Sequence, residues 1–172
     1  MSIEDEIVDR VSQGMLFPVA PKAQGATIRR AMFVAEKLWG ELTSPEGDEE
    51  WEDRIGRLQA DLEIFVTEAE IAPQYLFLLY PSADAVWETR SIKDRPSIRV
   101  LGLFPETDVF VSTNHARRED LGGWQSREWK TVKRVARAVW RQLFPTYQPK
   151  ITARVNEVCS GATNEIFYKD RS

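Results

Sequence analysis

The sequence predicts an α+β protein, with an N-terminal helical hairpin packed on a small antiparallel sheet and a basic amphipathic helix after it. Three observations carry this expectation. Residues 27–66 repeat their apolar side chains with a helical period; residues 75–111 replace that period with short β-rich runs between proline and turn signals; residues 127–144 return to it. The 172 residues, 42% of them hydrophobic, suit one packed domain over 1–172. Within it the reading places an N-terminal helix and loop over 1–25, a core over 26–147 and an extension over 148–172.

Ser2 is placed to cap a first helix that carries Glu4 and Asp5 in its first turn and ends near Gly14. Residues 16–25, with Pro18 and Pro21, read as a loop. Ile28, Ala31, Met32, Ala35, Leu38, Trp39 and Leu42 then follow one helical stripe, which predicts a helix over 28–43. After the break at 44–47, where Ser44 and Pro45 can cap the next segment, Trp51, Ile55, Leu58, Leu62 and Phe65 predict a second helix over 50–66. The two form an antiparallel hairpin.

Past Pro73 the run Tyr75 to Tyr80 fits either a buried strand or one helical turn. Residues 86–90, 98–104 and 109–111 read as strands, the last two joined by the turn residues Pro105-Glu106-Thr107-Asp108. Ile98 and Val100 differ in parity from Leu103, so a one-sided hairpin requires a bulge at Gly102 that resets the side-chain phase. Trp129, Val132, Ala136, Val139, Trp140 and Leu143 line a helix over 127–144, and a weak strand is expected at 151–155.

Composition removes several function classes. One cysteine, Cys159, and one histidine, His115, leave no disulfide framework and no multi-histidine metal motif. Glycine-rich phosphate loops and dinucleotide fingerprints are absent, so no cofactor or metal is expected. No apolar stretch is long enough to span a bilayer and the acidic start is not a signal peptide, so a cytoplasmic protein without membrane contact is expected. The net charge of −4 conceals a division: residues 1–85 carry −10 and residues 86–172 carry +6. The second half can therefore offer a face to a polyanion, or the halves can attract one another in the fold.

The basic residues group between 86 and 123. Arg90, Lys93, Arg95, Arg99, His115, Arg117 and Arg118 fall on adjacent strands and their connections. Arginines so placed can hold phosphates bidentately and stabilise a developing negative charge. His115 among cations would bind protons weakly, which suits a neutral base or weak acid. The alternative is a solvated edge, its bases paired with Glu88, Asp94, Glu119 and Asp120. The last helix adds Arg127, Lys130 and Arg134 on its basic side, and Trp124, beside Gly122-Gly123, is a candidate for stacking on a base. Cys159 reads as incidental.

This block resembles the RelE/ParE superfamily of small toxins, including the prophage-type HigB relatives. The resemblance rests on Val86-Trp87-Glu88-Thr89-Arg90, on Ile98-Arg99-Val100-Leu101-Gly102-Leu103-Phe104, and on Asp108-Val109-Phe110-Val111 leading to His115-Ala116-Arg117-Arg118-Glu119. It covers roughly residues 28–123. It implies two helices before an antiparallel sheet, an arginine of one strand at Arg99, one of the preceding strand at Arg90, and a basic segment at residues 115–118. It further implies a toxin–antitoxin protein acting as a metal-independent ribonuclease, with RNA or the ribosome as target and an antitoxin protein as partner. Arg99, Arg90, His115 and Arg118 would then be catalytic, and Lys93, Arg95, Arg117, Trp124, Arg127, Lys130 and Arg134 would bind nucleic acid. Glu88 and Thr89 stand where the family carries strand lysines, and Gly122 lies near its tyrosine position. Those departures favour the competing expectation, a non-enzymatic protein-interaction module on the same scaffold.

Overall fold

The computed structural model describes residues 1–91 and 93–162. The elements run α1 (Ile3–Ser12), β1 (Leu16–Pro18), β2 (Ala31–Ala35), α2 (Glu36–Thr43), α3 (Glu49–Thr67), β3 (Leu76–Leu78), β4 (Trp87–Arg90), β5 (Ile98–Glu106), β6 (Val109–Arg117) and α4 (Arg127–Leu143). The class is α+β. The strands form a six-stranded sheet in the order β1-β2-β6-β5-β4-β3. Its neighbours are antiparallel except β2 and β6, which are parallel.

Helices cover both faces. On one, α2 and α3 pack Leu38, Ile55, Leu58, Leu62 and Phe65 against Met32, Trp87, Val100, Phe104 and Phe110. On the other, α1 and α4 pack Ile7, Trp129, Ala136, Trp140 and Leu143 against Leu16, Leu101, Leu103 and Val111. The sheet is therefore the middle of three layers.

The expected helix over 28–43 starts only at Glu36, and the expected purely antiparallel sheet is mixed; both departures come from β2. Ala31-Met32-Phe33-Val34-Ala35 alternates in burial and pairs on both sides, with β1 and β6. Five residues of this kind satisfy a helical stripe and an alternating strand equally, and two hydrogen-bonded neighbours decide for the strand. Ile28, assigned to the stripe, is 61% exposed. The hairpin reduces to α2 beside α3, and Asp48 rather than Ser44 caps α3, accepting from the Trp51 backbone N–H at 2.9 Å.

The remaining elements follow local chemistry. Ser2 caps α1 in a reciprocal box with Asp5. Ser126 caps α4, which stops one residue before Pro145 at its C-cap Phe144. The expected loop at 16–25 begins with edge strand β1, and the ambiguous run 75–80 contains β3. The expected strand at 151–155 does not form. A 3₁₀ turn at Val155–Glu157 instead sends Val155, Val158 and Cys159 into the α3-side core, where burial pushes the Cys159 thiol up to about 12.

The bulge lies opposite Gly102, but it does not arise from a parity conflict within β5. The register steps from Leu101↔Asn114 to Gly102↔Ser112, so the extra residue is Thr113 on β6. Side chains of β5 keep strict alternation, Ile98, Val100 and Phe104 to the α3 side and Leu101 and Leu103 to the α4 side. With both faces covered, the parity conflict disappears. At Gly102 a Cβ would lie 2.3 Å from the Val111 carbonyl oxygen and 2.5 Å from the Phe110 ring; only glycine fits there.

Candidate anion-binding cleft

Past the N-terminal end of α4 the sheet carries an open cleft of about 530 Å³. Phe77, Arg90, Arg95, Ser97, Arg99 and Arg118 are among the residues that line it. Register explains the arrangement: Phe77 pairs with Glu88, Glu88 with Leu101, and Arg90 with Arg99. Paired and alternate residues share a face, so Phe77, Glu88, Arg90 and Arg99 lie on the α4 side with Leu101.

Glu88 is fully buried beneath the two strand arginines. Its Oε1 is 2.7 Å from Arg90 Nε and its Oε2 is 3.7 Å from Arg99 Nε. The Arg90 guanidinium lies 3.8 Å above the Phe77 ring centroid, and Arg99 Nη1 donates to Ser97 Oγ at 3.0 Å. Arg118 Nη1 donates to the Gly122 carbonyl at 2.8 Å, and its guanidinium lies 6.0 Å from the Trp129 ring. One buried carboxylate thus orients two guanidinium groups, while Arg95 and Arg118 add two more positive charges; across the cleft mouth Glu119 supplies one negative charge. The excess is positive and the donors are held in place, which is what planar phosphate recognition requires.

The wall formed by the β4–β5 connection is fixed from behind. Arg54 of α3, 1% exposed, donates from Nε to the Pro96 carbonyl at 2.8 Å and from Nη2 to Ser91 Oγ at 2.5 Å. Ser91 Oγ also accepts from the Ile98 backbone N–H at 2.9 Å, and Ser97 Oγ donates to the Ser91 carbonyl at 3.0 Å. Arg57 Nε pairs with Asp94 Oδ1 at 2.9 Å. Burial lowers the Arg54 pKa, against the attraction of Asp94 and Asp61. Neither Arg54 nor Phe77 stood out in the sequence. Arg54 was counted with the acidic half, and only the strand pairing turns Phe77 toward the arginines.

The structure gathers Arg90, Arg95, Arg99 and Arg118 and separates the rest. β6 continues to Arg117 instead of stopping at Val111, so the basic segment 115–118 is split by strand alternation. His115 pairs with Val100 and Arg117 with Ile98, both on the α3 side, opposite Arg99. His115 lies near Glu41, Trp51 and Arg117. Burial holds its pKa below the usual histidine value and Lys37 adds to this, while Glu41 opposes it. Its weak basicity therefore comes mainly from desolvation rather than from the arginine cluster. Lys93 is exposed and does not line the cleft. Arg127, Lys130 and Arg134 are exposed along α4, and Trp124 is half-buried, edge-on to Tyr80 at 6.1 Å. Lys133 donates to the Tyr80 carbonyl and Arg137 pairs with Asp84 at 3.4 Å, so part of the α4 basic side serves the fold.

Among the described residues no group of three or more His, Cys, Asp or Glu side chains could hold a metal ion, and no helix is long and apolar enough to cross a membrane. No family model, no curated protein and no solved structure matches the chain.

Proposed function

We propose that the protein binds nucleic-acid phosphate in this cleft, with RNA as the target that the RelE/ParE-like order of residues suggests. The observation that supports it most is the convergence of four arginines, from β4, β5, the loop between them and the turn after β6, on one open cleft. Arg90 and Arg99 would hold a phosphate over the buried Glu88, and Arg95 and Arg118 would meet its neighbour. If the chain also cleaves RNA, these arginines stabilise the charge that develops on the phosphorane. His115, across the sheet, takes no part in such a step. A toxin reading follows from the same resemblance, with cleavage of RNA as its activity and an antitoxin protein as its partner.

The interaction-module reading has its own support in Glu88, which occupies both strand arginines from below. Titration of a labelled single-stranded RNA across a salt series tests the choice. Each phosphate contact contributes about −0.7 to the slope of log affinity against log salt, so Arg118→Ala is expected to weaken binding and to flatten the slope by about that amount. Absence of binding at low salt, or a salt-independent affinity, overturns the nucleic-acid reading. Induced expression, with growth and transcript integrity followed together, separates a cleaving toxin from a binding domain.

A further inference from the structure

A second cleft of about 430 Å³ adjoins the first and shares Arg95, Pro96 and Glu119 with it. Its chemistry differs. Trp51 forms one wall, and the Arg117 guanidinium lies 4.2 Å from the indole ring centroid. The Trp51 indole N–H is held by the Glu41 carboxylate, so the ring is fixed, while 45% of the Arg117 side chain remains exposed. Asp48, Glu50 and Glu119 surround this plate, with Glu119 3.7 Å from the Arg117 guanidinium. These three carboxylates outnumber the cleft's two guanidinium groups, Arg95 and Arg117, and so disfavour a phosphate. They suit instead a ligand that offers N–H donors and a flat face. A guanidinium lying on an aromatic ring is itself a planar cation on which a nucleobase stacks.

We infer that the Trp51–Arg117 cleft is a base subsite, taking the nucleobase next to the phosphate bound among Arg90, Arg95, Arg99 and Arg118. The assignment rests on the phosphate reading of the first cleft. The carboxylate rim selects bases with an amino edge. Guanine fits best, because its N1–H and N2–H donors match the two oxygens of a carboxylate, whereas uracil offers one N–H between two carbonyl oxygens that a carboxylate repels. Strand alternation accounts for the paired clefts. Arg117 ends β6 on the α3 side and Arg118 turns to the α4 side, so a single strand passing over the sheet end meets the base subsite on one side and the phosphate subsite on the other.

Three nine-nucleotide RNA strands test this: all-uridine, uridine with one central guanosine, and an all-abasic strand of equal length. The guanosine strand is expected to bind at least about fivefold more tightly than all-uridine, about what one net hydrogen bond from its donor edge contributes. Arg117→Lys keeps the charge and removes the plate, and is expected to erase that preference. Trp51→Leu removes the plate from below and should do the same; should it fail to fold, Arg117→Lys decides. Equal affinity of the guanosine and uridine strands, or a preference that survives in Arg117→Lys, overturns the base subsite. In that event continued binding of the abasic strand leaves the phosphate cleft standing. Failure of all three strands at low salt overturns the cleft reading and the subsite with it.

Discussion

Arg30 and Arg99 are buried to a similar degree, 4% and 8% exposed, yet their donors point to different ends. Arg30 donates to the backbone carbonyls of Phe65, Glu68, Ala69 and Ser160, with Asp108 3.6 Å away. Those carbonyls close the C-terminal end of α3 and tie it to the segment that carries Cys159, so Arg30 completes hydrogen bonds that a helix end leaves open. Arg99 instead meets side chains, Glu88 and Ser97, at the floor of a cleft. A buried arginine surrounded by carbonyls belongs to the fold; one oriented by a carboxylate beside open space remains positioned for an anion. The division of charge along the chain does not make this distinction, since Arg30 and Arg54 both come from the acidic half.

The largest effect should come from removing the fold-side member. Arg30→Met leaves several buried carbonyls without donors, each costing about 1–3 kcal/mol in part compensated by relaxation and water. A loss of about 3–5 kcal/mol in urea denaturation is expected, with earlier proteolysis between 155 and 162. A loss under about 1 kcal/mol would break the comparison.

What the sequence made legible follows the same line. The cap at Ser2, the stripes of α3 and α4 and the placing of Arg90 and Arg99 on neighbouring strands are local or nearest-strand properties and are readable, whereas the cap at Ser126 and the true reason for the bulge opposite Gly102 are not. The strand nature of Ala31–Ala35 is not readable either, because its helical and alternating patterns coincide and the partners that choose between them lie 15–19 and 78 residues away in sequence. The split of residues 115–118 followed from the same difficulty: without β6's true end, alternation could not be applied to His115, Arg117 and Arg118. Arg54 was hidden because its role is set by a loop it meets only in three dimensions.

Arg99→Gln tests the cleft-side member. Its proximity to buried Glu88 makes Arg99 one partner of an ion pair. Taking one partner from such a pair is expected to cost about 1–3 kcal/mol, less than a fully enclosed ion pair because the cleft admits water. Glu88→Gln combined with Arg99→Gln should recover part of the loss, and a double-mutant cycle measures the coupling. RNA affinity should fall in both variants that lack Arg99. Additive stability losses would place Arg99 outside Glu88's influence.

The smallest effect sharpens the comparison from beneath Arg54. Asp61, also on α3, has its pKa raised from 3.8 to about 6, first by burial and then by Asp94, against the attraction of Arg54 and Arg57. In the unfolded chain the carboxyl ionises near 4, while in the fold it keeps its proton until about 6. Between those values the folded state binds more protons, so stability falls as pH rises through this window and stays lower above it. Two pK units correspond to about 3 kcal/mol; the side chain is only partly enclosed, and solvent screening reduces the expected gain to about 1 kcal/mol. Asp61→Asn should therefore raise stability by that amount at pH 7.5 and leave it nearly unchanged at pH 4, by urea denaturation at both. The Pro96 and Ser91 contacts of Arg54 do not depend on Asp61, so RNA affinity at pH 7.5 should stay the same. A destabilised Asp61→Asn at pH 7.5 would mean that Arg54 needs the ionised carboxylate, which would make Arg54 part of a buried ion pair rather than a clamp on the cleft wall.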